Sequence, residues 1–157
     1  MNDFKTFLIP YDFSDGADAA LVAGLDLARR LGADCHLVHV MHSTTYGTAP
    51  APGAGMAAPA IPAPGPDRLE MRESALASLE GVIAKVEDPP GRLVACVVED
   101  SNVAGALGDM AAKLEADLIV MGTRGRTGLA RMFLGSVAER TLRIASCPVL
   151  AVPAPSS

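Results

Sequence analysis

Four glycines and three arginines lie close together in the stretch VMGTRGRTGLARMFLGS, from Val120 to Ser136. Glycines let a loop turn tightly and let main-chain N–H groups approach an anion closely. Arginine side chains add positive charge and paired donors for phosphate oxygens. The Gly–Ser pair at the end of this stretch opens a helix-like segment, whose free N–H groups favour negative charge. This combination of residue types indicates a phosphate-binding loop.

We expect the first two glycines of this loop, Gly122 and Gly125, to form a tight turn with positive φ. Gly135 and Ser136 would supply the helix N-terminus that faces the anion. The arginines of the loop would surround a polyphosphate with positive charge: Arg124, Arg126 and Arg131.

A simpler interpretation of Ser136 needs no ligand. Ser136 and Glu139 have the spacing of a capping box, in which the two side chains satisfy main-chain N–H groups at a helix start. That interpretation leaves the arginines and the long loop unexplained. The stretch is not a dinucleotide fingerprint, because no G-x-G-x-x-G occurs, and it is not a P-loop, because no lysine precedes Ser136.

Short apolar runs alternate with helix-like segments along the chain. The runs predict five strands, at Thr6–Pro10, Cys35–Met41, Arg92–Val98, Ala116–Gly122 and Cys147–Pro153. Periodic apolar positions predict four helices, at Ser14–Gly32, 67–87, Val103–Leu114 and Ser136–Ala145. The alternation predicts an α/β fold with a mostly parallel sheet, helices on both faces and right-handed crossovers.

Capping residues support the first two helices. Ser14 can cap the start of the first helix and Gly32 can close its end. Asp67 and Glu70 have capping-box spacing at the start of the second helix. The apolar stripe of that second helix comprises Leu76, Leu79, Ile83 and Val86.

Residues 47–66 contain six prolines and four glycines, too many for a helix or an inner strand. We expect an insertion between the second strand and the second helix, partly extended in conformation. It is either a tolerated surface loop or a segment that docks a partner or closes over a site, and its composition does not decide between them.

Composition narrows the class of protein. The length of 157 residues fits one domain, and the net charge of -5 argues against a general nucleic-acid binder. No apolar run approaches the ~20 residues of a membrane span, and the N-terminus lacks signal-peptide features, so a cytoplasmic protein is expected. The cysteines are scattered, which favours buried thiols over disulfides or a zinc site: Cys35, Cys96 and Cys147.

The pattern Gly122-x2-Gly125-x9-Gly135-Ser136 resembles the nucleotide-binding motif of the universal stress protein family, in its ATP-binding branch. FLIPYDFSDGA is similar to that family's first strand and loop, LVHVM to its second strand, and ASCPVLAVP to its last. The resemblance implies one domain over residues 1–153, followed by a tail at 154–157. It also implies a single doubly wound sheet of five parallel strands in the order 3-2-1-4-5, with a switch point between strands one and four.

The resemblance further implies bound ATP, with Mg²⁺, and a role for each matching residue. At the nucleoside end would lie Pro10, Tyr11, Asp12 and Val40, with Asp12 anchoring base or ribose and serving as a possible metal ligand. Around the ribose and the phosphates would lie Met121, Gly122, Gly125, Gly135, Ser136 and Val137. This sequence departs from the family at Tyr11, where a small residue is common and the larger ring would narrow the entrance. It departs again at Ala138, which replaces a frequent hydroxyl.

A binding module is favoured over a catalyst. ATP hydrolysis needs a metal held by protein oxygens, a positioned water and charge stabilisation at the γ-phosphate. Asp12 is the only well-placed acidic candidate in these motifs, so hydrolysis would be weak at most. His36, His39 and His42 do not form a joint metal site, because His39 points away from the other two on a strand. The alternatives are a slow ATPase and a structural dimer without nucleotide.

The last strand predicts how the chain associates. Its core VLAV, Val149–Val152, lies between Pro148 and Pro153 and would form an exposed edge. Pairing of two copies of this strand would give a homodimer, to which the resemblance also points. The alternative is that the tail or the insertion covers the edge. We also expect the nucleotide state to modulate a protein partner that the sequence does not identify. Neither binding to nucleic acid nor insertion into a membrane is expected.

Overall fold

The computed structural model describes residues 3–43, 66–124 and 134–154. In these parts, strands and helices alternate as predicted. The strands are β1 (Thr6–Pro10), β2 (Asp34–His42), β3 (Leu93–Asp100), β4 (Leu118–Gly122) and β5 (Val149–Val152). The helices are α1 (Asp15–Leu31), α2 (Pro66–Ile83), α3 (Val103–Lys113) and α4 (Ser136–Ile144). Apart from Pro66, the predicted insertion lies outside the described residues.

The five strands form one sheet in the order β3-β2-β1-β4-β5. Every neighbouring pair is parallel, which confirms the predicted fold. Strand order reverses between β1 and β4, because the chain builds outward from β1 first on one side and then on the other. In open parallel sheets, ligands bind beyond the carboxyl ends of the strands at such a switch point.

Helices cover both faces of the sheet, and β1 runs through the middle with its side chains alternating between them. Phe7 and Ile9 pack in the core cluster that contains residues of α1 and α2. Leu8 packs in the opposite cluster, with residues of α3 and α4. All three side chains are fully buried. The two-sided burial explains why β1 is a continuous apolar run rather than an alternating one.

The ends of α1 follow the predicted caps. The Ser14 hydroxyl accepts a hydrogen bond from the main-chain N–H of Ala17 at 3.2 Å. Gly32 ends the helix with a φ of 66°, the left-handed conformation that glycine adopts without steric cost. The Ser14 cap fixes where α1 starts, one short turn after β1, and Gly32 fixes where it ends.

The start of α2 differs from the prediction. The helix begins at Pro66, so Asp67 lies in its first turn rather than at the N-cap, and the predicted capping box with Glu70 is wrong. Proline suits the first helical position because its missing N–H would have no partner there in any case. The helix ends at Ile83, so Val86 packs against the core from the following turn.

The cysteine side chains are free thiols. Burial raises the pKa of the fully buried Cys35 thiol to about 12, which leaves it protonated and unreactive at neutral pH. Burial also raises the pKa values of Cys96 and Cys147. In the described parts of the chain, none of the helices is both long and apolar enough to cross a membrane.

Candidate functional site

A cavity of about 1060 Å³ opens at the carboxyl ends of β1, β2 and β4. It is large enough for a small-molecule ligand, and it lies at the switch point of the sheet. Every predicted site residue within the described parts of the chain lines it: Pro10, Tyr11, Asp12, Val40, Met121, Gly122, Arg124, Gly135, Ser136 and Val137. The other three predicted residues, Gly125, Arg126 and Arg131, lie outside the described residues.

The turn from β1 into α1 holds Asp12 in place. One carboxylate oxygen of Asp12 accepts hydrogen bonds from the main-chain N–H of Ser14, at 3.1 Å, and from the Ser14 hydroxyl. Ser14 in turn caps α1. The half-buried carboxylate is therefore fixed at the cavity by two local bonds, and its second oxygen remains for a ligand.

Tyr11 does not stand in the entrance as expected. Its side chain is only 6% exposed and packs in the core cluster beneath α1. Its hydroxyl donates a hydrogen bond to the Asp18 carboxylate on α1. Burial, together with the neighbouring Asp18, raises the pKa of Tyr11 well above its ordinary value. The larger ring is thus accommodated in the core instead of narrowing the site.

Gly122, at the end of β4, is required for a different reason from the predicted one. In the described residues the only glycines with positive φ are Gly32 and Gly91, so Gly122 does not form the expected positive-φ turn. Instead, a Cβ at Gly122 would lie 2.6 Å from the carbonyl oxygen of Gly16 on α1. The glycine lets the first turn of α1 approach the floor of the cavity.

Main-chain bonds join the two ends of the predicted phosphate loop. The N–H of Gly135 donates to the carbonyl of Thr123 at 2.7 Å, and the N–H of Thr123 donates to Val152 at 2.9 Å. Arg124 lines the cavity and donates one guanidinium hydrogen bond to the carbonyl of Ala154, at 3.3 Å. The segment between these anchors thus starts and ends at the same edge of the cavity.

The start of α4 corrects the capping-box interpretation. Gly135 is the N-cap and makes no side-chain cap hydrogen bond, while Ser136 is the first helical residue. Glu139 pairs instead with Arg143, at 2.9 Å. The first-turn N–H groups therefore have no side-chain cap in the described part of the chain, and their partial positive charge favours an anion at this end of the cavity.

The far wall of the cavity was missed by the sequence prediction. It comprises residues of α2 and α3: Asp67, Glu70, Met71, Ser74, Ala75, Ser78, Val103 and Leu107. No ligand-binding motif marks these positions, since helix packing alone brings them to the cavity. Within the described residues, no group of three or more histidine, cysteine or acidic side chains is arranged to hold a metal ion.

An open parallel sheet with a large cavity at its switch point defines a doubly wound α/β domain, a class in which ligands bind beyond the strand ends. The family model described as "Universal stress protein family" matches residues 3–153, and the chain belongs to that family. Universal stress protein MJ0531 of Methanocaldococcus jannaschii is 32% identical over 154 residues, covering 98% of this chain and 85% of its own length.

Solved structures show the same fold. The hypothetical protein MJ0577 has a TM-score of 0.76 at 22% identity, with 99% of this chain and 100% of that chain covered. A universal stress protein crystallised in complex with cAMP has a TM-score of 0.67 at 18% identity, with 98% and 100% covered. At these identities the likeness establishes the fold alone.

Proposed function

We propose that the cavity at the switch point binds ATP and that the nucleotide state of this protein modulates a partner in a stress response or signalling process. The observation that supports this most strongly is the convergence of three groups on one cavity. They are the fixed carboxylate of Asp12, the part of β2 at Val40 that extends beyond β1, and the start of α4 at Gly135–Ser136, which has no side-chain cap among the described residues.

The edge of β2 suits an adenine base. Asp34 donates its N–H to Lys5 and Val38 accepts from Tyr11, each at 2.8 Å, so alternate residues of β2 direct their main-chain groups toward β1. β1 pairs with β2 only as far as Pro10, opposite Val38, whereas β2 continues to His42. The N–H and C=O of Val40 therefore point past the end of β1.

A main-chain donor beside an acceptor complements the Watson–Crick edge of adenine, which offers the N1 acceptor and the N6 donor. Guanine presents the reverse pattern, an O6 acceptor and an N1 donor. Val40 would therefore select adenine over guanine. The family member crystallised with cAMP gives independent support, since cAMP is an adenine nucleotide.

The opposite end of the cavity suits phosphate. Gly122 and Met121 lie between the base end and α4, and Ser136 and Val137 lie at the helix N-terminus. Because no described side chain caps the first-turn N–H groups of α4, a phosphate can take that place. Arg124 adds a positive charge at the cavity wall, and the predicted residues Gly125, Arg126 and Arg131 would extend the cradle.

The proposed Mg²⁺ would accompany the nucleotide rather than occupy a resident site. Mg²⁺ is commonly held by phosphate oxygens, waters and one or two carboxylates. Asp12 offers one carboxylate oxygen beyond those used by Ser14. Among the described residues we therefore assign Asp12 alone as a ligand of the metal. We place catalysis second to binding, with slow ATP hydrolysis as the alternative activity.

The proposal extends to a homodimer formed through β5. This strand is at the edge of the sheet, and Leu150 is 38% exposed on it. A second copy of β5 would satisfy the unpaired main-chain groups of the edge by a self-complementary contact. We also propose a cytoplasmic location, where the free thiols of the chain would remain reduced.

The test combines detection of bound nucleotide with a titration. Mass spectrometry of small molecules released from the purified protein should detect intact ATP, and calorimetry on the stripped protein should give tighter binding for ATP than for GTP. Recovery of ADP alone would favour the slow ATPase. A stripped protein that binds neither ATP nor another adenine nucleotide would contradict the proposal and leave the structural dimer.

A further inference from the structure

We propose that His39 is a positioning residue that ends the β1–β2 pairing at Val38 and so keeps the N–H of Val40 available to a ligand. The effect on ligand binding rests on the proposed function. The effect on strand pairing does not, because it concerns the contacts of the protein alone.

The imidazole of His39 contacts a main-chain group that follows β1. Its Nδ1 lies 2.7 Å from the carbonyl oxygen of Tyr11. A carbonyl oxygen only accepts hydrogen bonds, so Nδ1 must carry the hydrogen and donate. In its neutral form the ring is therefore the Nδ1–H tautomer, with Nε2 unprotonated.

The Tyr11 carbonyl is the acceptor that a longer strand pairing would use. Asp34 pairs with Thr6 and donates its N–H to Lys5, the residue before its partner. Continuation of this register past Pro10 and Val38 would place Val40 opposite Asp12. The N–H of Val40 would then donate to Tyr11, again the residue before its partner.

That bond is not formed. Among the described residues, the last main-chain hydrogen bond from β1 and the residues after it to β2 runs from the N–H of Tyr11 to the carbonyl of Val38, at 2.8 Å. The His39 side chain takes the place of the Val40 N–H at the Tyr11 carbonyl. The pairing therefore stops one step before it would occupy the main-chain groups that we assign to the base.

Aromatic packing holds the imidazole in this position. The Phe13 ring lies 5.2 Å from the His39 ring, at an angle of 59°. Phe13 has a φ of 64°, which bulky side chains rarely adopt. Tyr11 packs edge-on against the same Phe13 ring, at 5.2 Å and 76°. The unusual main chain at Phe13 thus directs its ring onto the histidine that ends the pairing.

Removal of the imidazole should let the pairing extend. The Tyr11 carbonyl would lose its donor, and the N–H of Val40 is the group that the register directs toward it. Val40 would then offer a ligand its carbonyl but no longer its N–H. Adenine would lose the donor for its N1 atom, so ATP should bind more weakly while the weaker binding of GTP stays nearly unchanged.

The test compares His39→Leu with His39→Asn. Leucine removes the donor and keeps much of the side-chain volume, whereas the amide nitrogen of asparagine is attached to Cγ, as Nδ1 is in histidine, and can still donate. Without nucleotide, amide hydrogen exchange at Val40 should be slowed about tenfold or more in His39→Leu, the change expected for one new hydrogen bond. The wild type and His39→Asn should exchange Val40 at similar, faster rates.

Calorimetry on the same variants provides the second measurement. ATP affinity should fall about tenfold in His39→Leu, with the ATP preference over GTP reduced by the same factor, and His39→Asn should restore most of both. A merely structural role for His39 would lower the melting temperature without changing base preference or Val40 exchange.

Three results would overturn the inference. They are unchanged Val40 exchange in a folded His39→Leu variant, an asparagine variant that behaves like leucine, and an Nε2–H tautomer for His39 in the ¹⁵N spectrum of the wild type. The spectrum keeps the proposal testable even if both variants fail to fold. Val40 exchange could be slowed in His39→Leu while the wild type binds no nucleotide. In that case the proposed function fails and the role of His39 in strand pairing stands.

Discussion

Gly16 at the start of α1 lies against Gly122 at the end of β4, so closely that a Cβ on Gly122 would be 2.6 Å from the Gly16 carbonyl oxygen and 2.7 Å from its carbonyl carbon. A Cβ on Gly16 would in turn collide with the carbonyl oxygen of Arg124. These contacts join the helix that follows Asp12 to the strand that leads into the predicted phosphate loop. The two halves of the site are therefore fixed relative to each other by main-chain packing.

Gly122→Ala should consequently destabilise the protein before any ligand is considered. The obstacle is main chain rather than a flexible side chain, so the expected loss is about 1–3 kcal/mol in the free energy of unfolding. Gly81→Ala is the matched control, because a Cβ at Gly81 in α2 has no neighbouring atom within 4 Å. That control should be stabilising by roughly 0.5–1 kcal/mol. Urea denaturation of both variants checks this, and equal stabilities would contradict the role of the contact.

Gly125→Val tests the loop itself, for which the prediction comes from the sequence. A valine side chain would block both the tight turn and the close approach of N–H groups to phosphate. ATP binding measured by calorimetry should be abolished, while the melting temperature stays close to that of the wild type. Unchanged affinity would place the nucleotide site elsewhere.

The sequence predicted the fold and the side of the cavity formed by the strand ends and the start of α4 for a physical reason. Strand runs, the Ser14 cap and the Gly32 helix end depend on residues near in sequence, and local rules describe such contacts well. The strand order came from the family resemblance, and the sheet confirms it. Because parallel strands end at one edge of a sheet, the motifs that follow β1, β2 and β4 had to meet there.

What the sequence could not predict depends on contacts between distant parts of the chain. Gly122 was expected to need positive φ, whereas it is constrained by Gly16, far away in sequence. Alternation along the strand indicated which way His39 points, but the Tyr11 carbonyl that it contacts comes from the end of another strand. Ser136 looked like a helix cap because the spacing to Glu139 fits, and only the main-chain conformation shows that Gly135 is the N-cap and that the helix starts one residue earlier.

ATP turnover should be slow. Asp12 has one oxygen engaged by Ser14, and among the described residues the site holds no cluster of three metal-binding side chains. We expect a steady-state rate far below the enzyme median of ~10 s⁻¹. Asp12→Asn should weaken ATP binding yet keep the turn, because the asparagine carbonyl can still accept from Ser14. A wild-type rate near the enzyme median that is lost in Asp12→Asn would favour the ATPase over the binding module.

The stability of the fold should decline at high pH through Cys35. Burial raises the pKa of this thiol from 9.0 to about 12, so the unfolded chain releases its proton at a lower pH than the folded one. The contribution of the protonated Cys35 thiol to the free energy of unfolding is fully present below pH 9. It is lost as the pH rises from 9 toward 12. Chemical denaturation across this range should give a steeper decline for the wild type than for Cys35→Ala. Parallel curves would show that the thiol is not the titrating group.

Leu150→Glu should convert the proposed dimer to a monomer. Leu150 is 38% exposed on the edge strand β5, where a charge on each copy would meet its symmetry mate across a two-fold contact. Leu69→Glu is the matched control, since Leu69 is 56% exposed on α2, which packs beside β3 at the opposite edge of the sheet. Light scattering at micromolar concentration should give a dimer for the wild type and the control, and a monomer for Leu150→Glu that retains the circular dichroism spectrum of the folded protein. A wild type that is already monomeric, or a Leu150→Glu variant that remains dimeric, would exclude β5 as the interface.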